Sequence, residues 1–436
     1  MRRNLSMDEA LDDARALYAD KRPKTRQAHE DACRHLPGGN TRTVLYHGPF
    51  PMRAARGEGA YLHDVDGHRY LNLLGEYTAG VFGHSHPAIR RAIDTALDVG
   101  LNLGAHNLAE FKLAGLVAKR FEAVEQVRFT NSGTEANLMA ISTARHLTGR
   151  DKVMVFYGGY HGGLLYFGGG GIPINAPFPY VLGHFNDIER TRALIRENAN
   201  ELACITVEPM LGSSGCIPGD PDFLVMLREE ATASGSILIF DEVMTSRFGR
   251  GGAHGEYGIT PDMIALGKWI GGGMSFGAFG GREELMKIYD PTAPNAMPHA
   301  GTFNNNVLSM HAGIAAMTEA FTPDIAERLH ETGNAFRNRI NSIFETHNVA
   351  LHASGVGSLM NLHGVTGPLH TIDDIADSDD RAKELLFLDL LERGFYVARR
   401  GFIALSSVLT DAELDEFIAA LDDVVALRKP LLTQRS

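Results

Sequence analysis

The 436-residue sequence has few cysteines, no long apolar run, no basic block and no internal repeat. Its three cysteines, Cys33, Cys204 and Cys216, are too few and too scattered for a disulfide framework or a metal site. No stretch approaches the roughly 18 consecutive apolar residues of a membrane span. The opening MRRNLSMDEALDDARAL meets acids before any apolar segment can form, which argues against a secretory signal. Lysines and arginines number 41 against 53 acids, a formal charge of −12, so nucleic acid is a poor partner. His84 and His86 in GHSHP have no third ligand at useful spacing, which makes them structural rather than metal-binding. No complete GxGxxG occurs, and GKW at Lys268 lacks the upstream glycine and the hydroxyl residue of a P-loop. A cytoplasmic globular protein with a large core is expected.

What is present changes texture twice along the chain. Residues 7–35 read as one or two polar helices stopped by PGGN. Residues 43–73 alternate apolar and polar side chains between turn signals, a small antiparallel meander. From about residue 86, helices at Ala88–Val99 and Leu108–Arg120 lead into short apolar runs. These are Val127–Phe129, Val153–Phe156, Cys204–Val207, Ile237–Phe240 and Met263–Leu266, with helix-length segments between several of them. That alternation predicts an α/β domain with a mostly parallel, doubly wound sheet. After about residue 325 comes a helix over Asp324–His347, then short strands and helices. The last helix, at 411–428, starts from a Thr410–Glu413 capping box. We therefore expect a central domain over 86–325 and a smaller α+β domain built from 1–85 and 326–436.

The stretch from Ile237 to Gly273 carries the strongest chemical signal. Its two apolar runs end in Asp241-Glu242 and in Gly267-Lys268. Charged groups at the ends of buried strands are costly unless something pairs with them. In an open parallel sheet those ends are also where ligands bind. An amine and a carboxylate brought together there suit pyridoxal phosphate, held by a lysine Schiff base with an acid facing its ring nitrogen. The plainer readings are a surface lysine and a helix-capping acid. Val243 would pack against one ring face and Tyr160 of GGYHGG against the other, although periodicity alone puts Tyr160 in the core. Asn131-Ser132-Gly133-Thr134 lies between a strand and a helix, as a phosphate site or a simple N-cap. Glu208 ends the run ACITV and either hydrogen-bonds within the site or only closes the strand. Gly301 to Asn306 is a polar turn that offers a further phosphate contact or is an ordinary loop. Arg42, Arg399 and Arg400 are carboxylate anchors or surface charges. A serine-hydrolase elbow at Ser275 has the right glycines, but no strand leads into it and no clear helix follows.

In this order, TNSGTEAN, GGYHGG, VEPM, FDEVMTSR, GKWIGGGMSFGAFGGR and GTFNNN resemble the motifs of class III aminotransferases of pyridoxal-phosphate fold type I. The similarity covers nearly the whole chain. It implies Lys268 as the Schiff-base lysine and Asp241 as the partner of the ring nitrogen. It also implies Ser132, Gly133 and Thr134 on the phosphate, Tyr160 stacked on the ring, and a homodimer in which Thr302 reaches the neighbouring subunit's phosphate. Arg42 stands two residues after Asn40, as in the β-amino-acid enzymes of the class. The glutamate-1-semialdehyde aminomutases carry that arginine four residues after the asparagine. The implied reaction moves an amino group from a β-amino acid, such as β-phenylalanine, to 2-oxoglutarate or pyruvate. Arg42 and Arg400 would anchor the carboxylates, with Arg399 as the competing register.

Overall fold

A computed structural model describes residues 6–433. The chain divides into two compact units. The first takes residues up to Ser85, Glu331–Leu369 and residues from Asp374 onward; the second takes His86–His330 and His370–Asp373.

In the second unit, seven strands form one sheet in the order Gln126–Thr130, Gly277–Gly281, Met263–Gly267, Ile237–Asp241, Leu202–Val207, Lys152–Phe156 and Tyr180–Gly183. Only Gly277–Gly281 runs antiparallel to its neighbours. The three central parallel strands are buried along their whole length, which is why they read as unbroken apolar runs rather than alternating ones. Helix Gly133–Thr148 buries Ala136, Ala140, Ile141 and Ala144, a stripe at helical spacing. Ile239, fully buried beneath that helix, contributes about 1.5–3 kcal/mol by leaving water.

The strands at Tyr180 and Gly277 were not expected from the sequence. The second is GAFGG, a composition that disfavours strands in isolation. A Cβ on Gly277 would overlap the Ser132 carbonyl, so the chain needs glycine there to let that turn approach.

In the first unit, helices Met7–Asp20 and Pro23–Cys33 precede the meander Ala54–Glu58, Tyr61–Asp64 and Arg69–Asn72. The meander begins later than its sequence texture suggested, because Gly48, Pro49 and Pro51 interrupt residues 43–53. The run FYVARRGFIALS splits between two sheets. Phe395–Tyr396 joins the meander in parallel, and Phe402–Ala404 pairs with Leu359–His363. The capping box at Thr410 and Glu413 is present, and its helix runs to Leu432. That helix holds Arg428 against Asp389 of helix Asp380–Glu392 at 2.7 Å, both side chains buried. Removing either partner alone would strand a buried charge at about 3–5 kcal/mol. Helix Pro323–His347 carries the chain from the second unit back to the first. Among the described residues no helix is long and apolar enough to cross a membrane.

Candidate active site

Asp241 and Lys268 end adjacent parallel strands, with Asp241 in register with Ala265, three residues before the lysine. Asp241 does not cap a helix. Its carboxylate is 4% exposed and is held by three donors: Asn137 Nδ2 to Oδ2 at 2.9 Å, His161 Nδ1 to Oδ2 at 2.8 Å and the Val243 N–H to Oδ1 at 3.0 Å. The next residue turns the other way. Glu242 is fully buried and accepts the N–H groups of Ala253 and His254 and the His254 ring, anchoring the short helix there.

Lys268 is half-buried and has φ of +54°, a left-handed conformation that costs a non-glycine residue on the order of 1–3 kcal/mol. Such strain persists only where surrounding structure imposes it. Here the preceding Gly267 sits so close that a Cβ on it would lie 3.3 Å from Val243 Cγ1 and 3.7 Å from Gly133 Cα. A Cβ on Gly133 would in turn lie 2.7 Å from Val243 Cγ2. The lysine, Val243 and the Ser132–Thr134 turn are thereby gathered at one end of the sheet.

Ser132 is the N-cap of helix Gly133–Thr148, its Oγ accepting the Glu135 N–H at 3.2 Å. The capping reading is therefore met, and the first-turn amides it leaves without intrahelical acceptors still face outward from the helix end. Thr134 Oγ1 accepts the Gly163 N–H at 3.3 Å. Asn131 Nδ2 donates to Asn304 Oδ1 at 3.0 Å, which fastens the turn carrying Thr302 to this corner. Thr302 itself is exposed.

Tyr160 departs from the expectation of a core residue. It is 41% exposed, with its ring edge-on to Tyr166 at 5.7 Å. The reason is Glu208, buried at the end of its strand, which accepts the Tyr160 N–H at 2.8 Å and the Gly212 N–H at 3.1 Å. Glu208 thus holds the loop rather than closing a strand. Burial pushes its carboxyl well above the usual carboxylate range; His161 opposes the rise, Asp241 adds to it and the two N–H donors reduce it.

Two site residues escaped sequence reasoning, His161 and Asn137. The available signal was slight: a histidine beside Tyr160 in a glycine-rich loop, and an amide one helical turn after Gly133. Ser275 lacks the frame of a hydrolase elbow, since it is followed by the strand Gly277–Gly281 rather than by a helix. His86 caps helix Pro87–Val99, and the His84 ring packs against Gly57 and lies 3.0 Å from Asn72 Nδ2, both structural roles.

The arginines lie in the first unit. There Arg42 and Arg400 both sit over the Tyr77 ring, at 5.9 and 5.1 Å from its centroid. Arg399 instead pairs with Glu384 at 3.2 Å, a carboxylate it shares with Arg15. Tyr77 stacks on Phe402 at 5.4 Å. It belongs to a run of three non-glycine residues, Glu76, Tyr77 and Thr78, all at positive φ.

The family model for aminotransferase class III matches residues 45–167 and 173–425. The chain is a class III aminotransferase. It is 50% identical over 428 residues to the β-phenylalanine transaminase of Variovorax paradoxus, covering 98% of each chain. Against the crystal structure of a β-phenylalanine aminotransferase from that organism the TM-score is 0.97 at 49% identity, over 99% of this chain and 100% of the other. A glutamate-1-semialdehyde 2,1-aminomutase of Methanosphaera stadtmanae is 35% identical, over 94% of this chain and 99% of its own.

The aminotransferase uses pyridoxal phosphate, and its residues fit that group. Each carboxylate oxygen accepts about two hydrogen bonds. Oδ2 of Asp241 is filled by Asn137 and His161, while Oδ1 retains room for one further donor. A helix N-terminus suits the phosphate, and Tyr160 and Val243 supply an exposed aromatic and an apolar surface for the ring.

Proposed function

We propose that this aminotransferase moves the amino group of a β-amino acid with an aromatic side chain, such as β-phenylalanine, to 2-oxoglutarate or pyruvate by a ping-pong mechanism. The observation that carries the reading is the pair of arginines on Tyr77. Guanidinium groups bind carboxylates in bidentate fashion. Arg399 faces Glu384, whereas Arg42 and Arg400 both face Tyr77 and would receive substrate carboxylates beside an aromatic surface formed by Tyr77 and Phe402. The 50% identity to a transaminase named for β-phenylalanine supports the same donor class.

Bound pyridoxal phosphate supplies an electron sink for the carbanion formed at the substrate carbon. Lys268 would hold the cofactor aldehyde, then move a proton between the substrate carbon and C4′ as general acid and base. Asp241 would keep the ring nitrogen protonated. Ser132, Gly133 and Thr134 would grip the phosphate, and Tyr160 and Val243 would confine the ring between them. Glu208 would act on the cofactor only through the loop it holds.

A homodimer completes this reading, with Thr302 reaching the phosphate of the second copy. Leu97, Val99, Leu101, Leu103, Leu108 and Phe111 are exposed, a concentration of apolar surface that favours a partner. The segment is tied to the Thr302 turn through Asn306 and Asn107, which donate to Leu101 O and Asn305 O. Sedimentation should give a dimer, and Leu108→Glu with Phe111→Glu should give an inactive monomer. A wild-type monomer with full activity would end the shared-site reading. The three thiols, with no disulfide between them, fit a cytoplasmic setting.

The test of function is steady-state kinetics with 3-amino-3-phenylpropanoate against each 2-oxo acid. Parallel double-reciprocal lines are expected. Absence of turnover with either acceptor, or conversion of glutamate-1-semialdehyde with no acceptor present, would retire the proposal.

A further inference from the structure

Sequence reasoning passed over His161, and nothing in the chemistry described so far needs it. Its side chain is 2% exposed. Its main chain is pinned on both sides, with its N–H donating to Leu165 O at 2.8 Å and its C=O accepting Asn137 Nδ2 at 3.1 Å. Its ring nitrogen Nδ1 lies 2.8 Å from Asp241 Oδ2. An ionised carboxylate only accepts, so the proton of that bond belongs to the imidazole. Nε2 is buried and has no hydrogen-bond partner among the described residues. The histidine is therefore committed to one polar contact, and that contact is Asp241.

We propose that His161 is a positioning residue for transamination, holding Oδ2 of Asp241 so that the remaining acceptor site on Oδ1 is the one presented to the cofactor ring nitrogen. The proposal rests on Asp241 being the partner of that nitrogen. Without the His161 bond, the carboxylate keeps only Asn137 on Oδ2 and Val243 on Oδ1, and the Asn137 amide is also shared with Gly133 O and His161 O. Its rotation about the Cβ–Cγ bond then has a single restraint on each side, and the plane of the carboxylate is held less firmly. The charges around the ring act in the same sense. Burial disfavours the imidazolium, but the hydrogen bond to Asp241 and the charges of Asp241 and Glu208 outweigh it and raise the His161 pKa.

Three variants separate a positioning role from simple packing. His161→Asn places an amide N–H near the Nδ1 position, His161→Gln places it near Nε2, and His161→Leu removes it. The spectroscopic readout is the pH titration of the near-visible band of the bound cofactor; the kinetic readout is kcat against KM for the amino donor. At metal centres, loss of a group that orients a ligand costs about 10–100-fold in activity, and a loss of the same order is expected here. His161→Leu and His161→Gln should lose kcat in that range, with KM changed less than about threefold, and should shift the titration midpoint of the band. His161→Asn should recover most of both. If His161→Leu fails to fold, the contrast between Asn and Gln decides alone.

Equal behaviour of Asn and Gln, or unchanged kcat and titration in the variants, would overturn the positioning role. The underlying reading fails separately. If Asp241→Asn leaves the titration of the band and the turnover intact, Asp241 is not the ring partner; if it changes them while the His161 variants do not, only the positioning role falls.

Discussion

Lys268→Ala is expected to abolish the near-visible absorption band that borohydride would otherwise trap, and to lower transaminase turnover by about 10²–10⁴-fold or more. The setting of the amine gives the reason. It ends a fully buried strand, is itself half-buried, and stands beside the strand that ends in Asp241. A lysine becomes a nucleophile where its surroundings favour the neutral amine, and the cationic ring of the bound cofactor would act in that direction. The backbone allows a second, sharper expectation. Lys268 has φ of +54°, which glycine adopts without the penalty that a Cβ brings. Lys268→Gly should therefore be as inactive as Lys268→Ala yet melt higher, by on the order of 1–2 °C for a chain this large. The comparison is made on both proteins prepared without added cofactor. An intact band in either variant, or a borohydride adduct that peptide mapping puts on another lysine, would remove the centre of the mechanism.

Asp241→Asn should fold and lose about 10²–10³-fold in kcat, the range for removing one preorganised charge stabiliser. The hydrogen bonds dictate how the replacement sits. Asn137 and His161 both donate toward Oδ2, so the amide oxygen of the new residue takes that position. Its NH₂ group must then face the Val243 N–H and the ring nitrogen, donor against donor. The amide cannot keep the ring nitrogen protonated, and the electron sink is weakened at the step that needs it. The check is turnover beside the binding of the cofactor, since weaker binding alone would raise the cofactor requirement and leave kcat at saturation unchanged.

Much of this was readable from residue order. The apolar runs read at 204–207, 237–240 and 263–266 lie within strands Leu202–Val207, Ile237–Asp241 and Met263–Gly267 because these are buried on both faces, and a run of that kind needs no tertiary partner to be recognised. The capping box at Thr410 is local, made within one turn, and it formed as written. Tyr160 was misjudged by periodicity for the opposite reason. Its exposure depends on Glu208, 48 residues away, reaching its backbone N–H. The strand Gly277–Gly281 was missed because its composition answers to the Ser132 carbonyl that packs on it, a contact no window of sequence contains.

Sequence alone determined the class of fold and the family, since these rest on local pattern and on motif order, and it put an amine and a carboxylate at two strand ends; that the two strands are neighbours was decided by the sheet. Tertiary structure alone decided the division of labour within Asp241-Glu242, one facing His161 and Asn137 and the other anchoring a helix. It also decided that Arg400 shares Tyr77 with Arg42 while Arg399 goes to Glu384. The physical reason is the same in both cases. Two charged neighbours in sequence leave the backbone in different directions, and what each meets is set by elements that the chain brings back from far away.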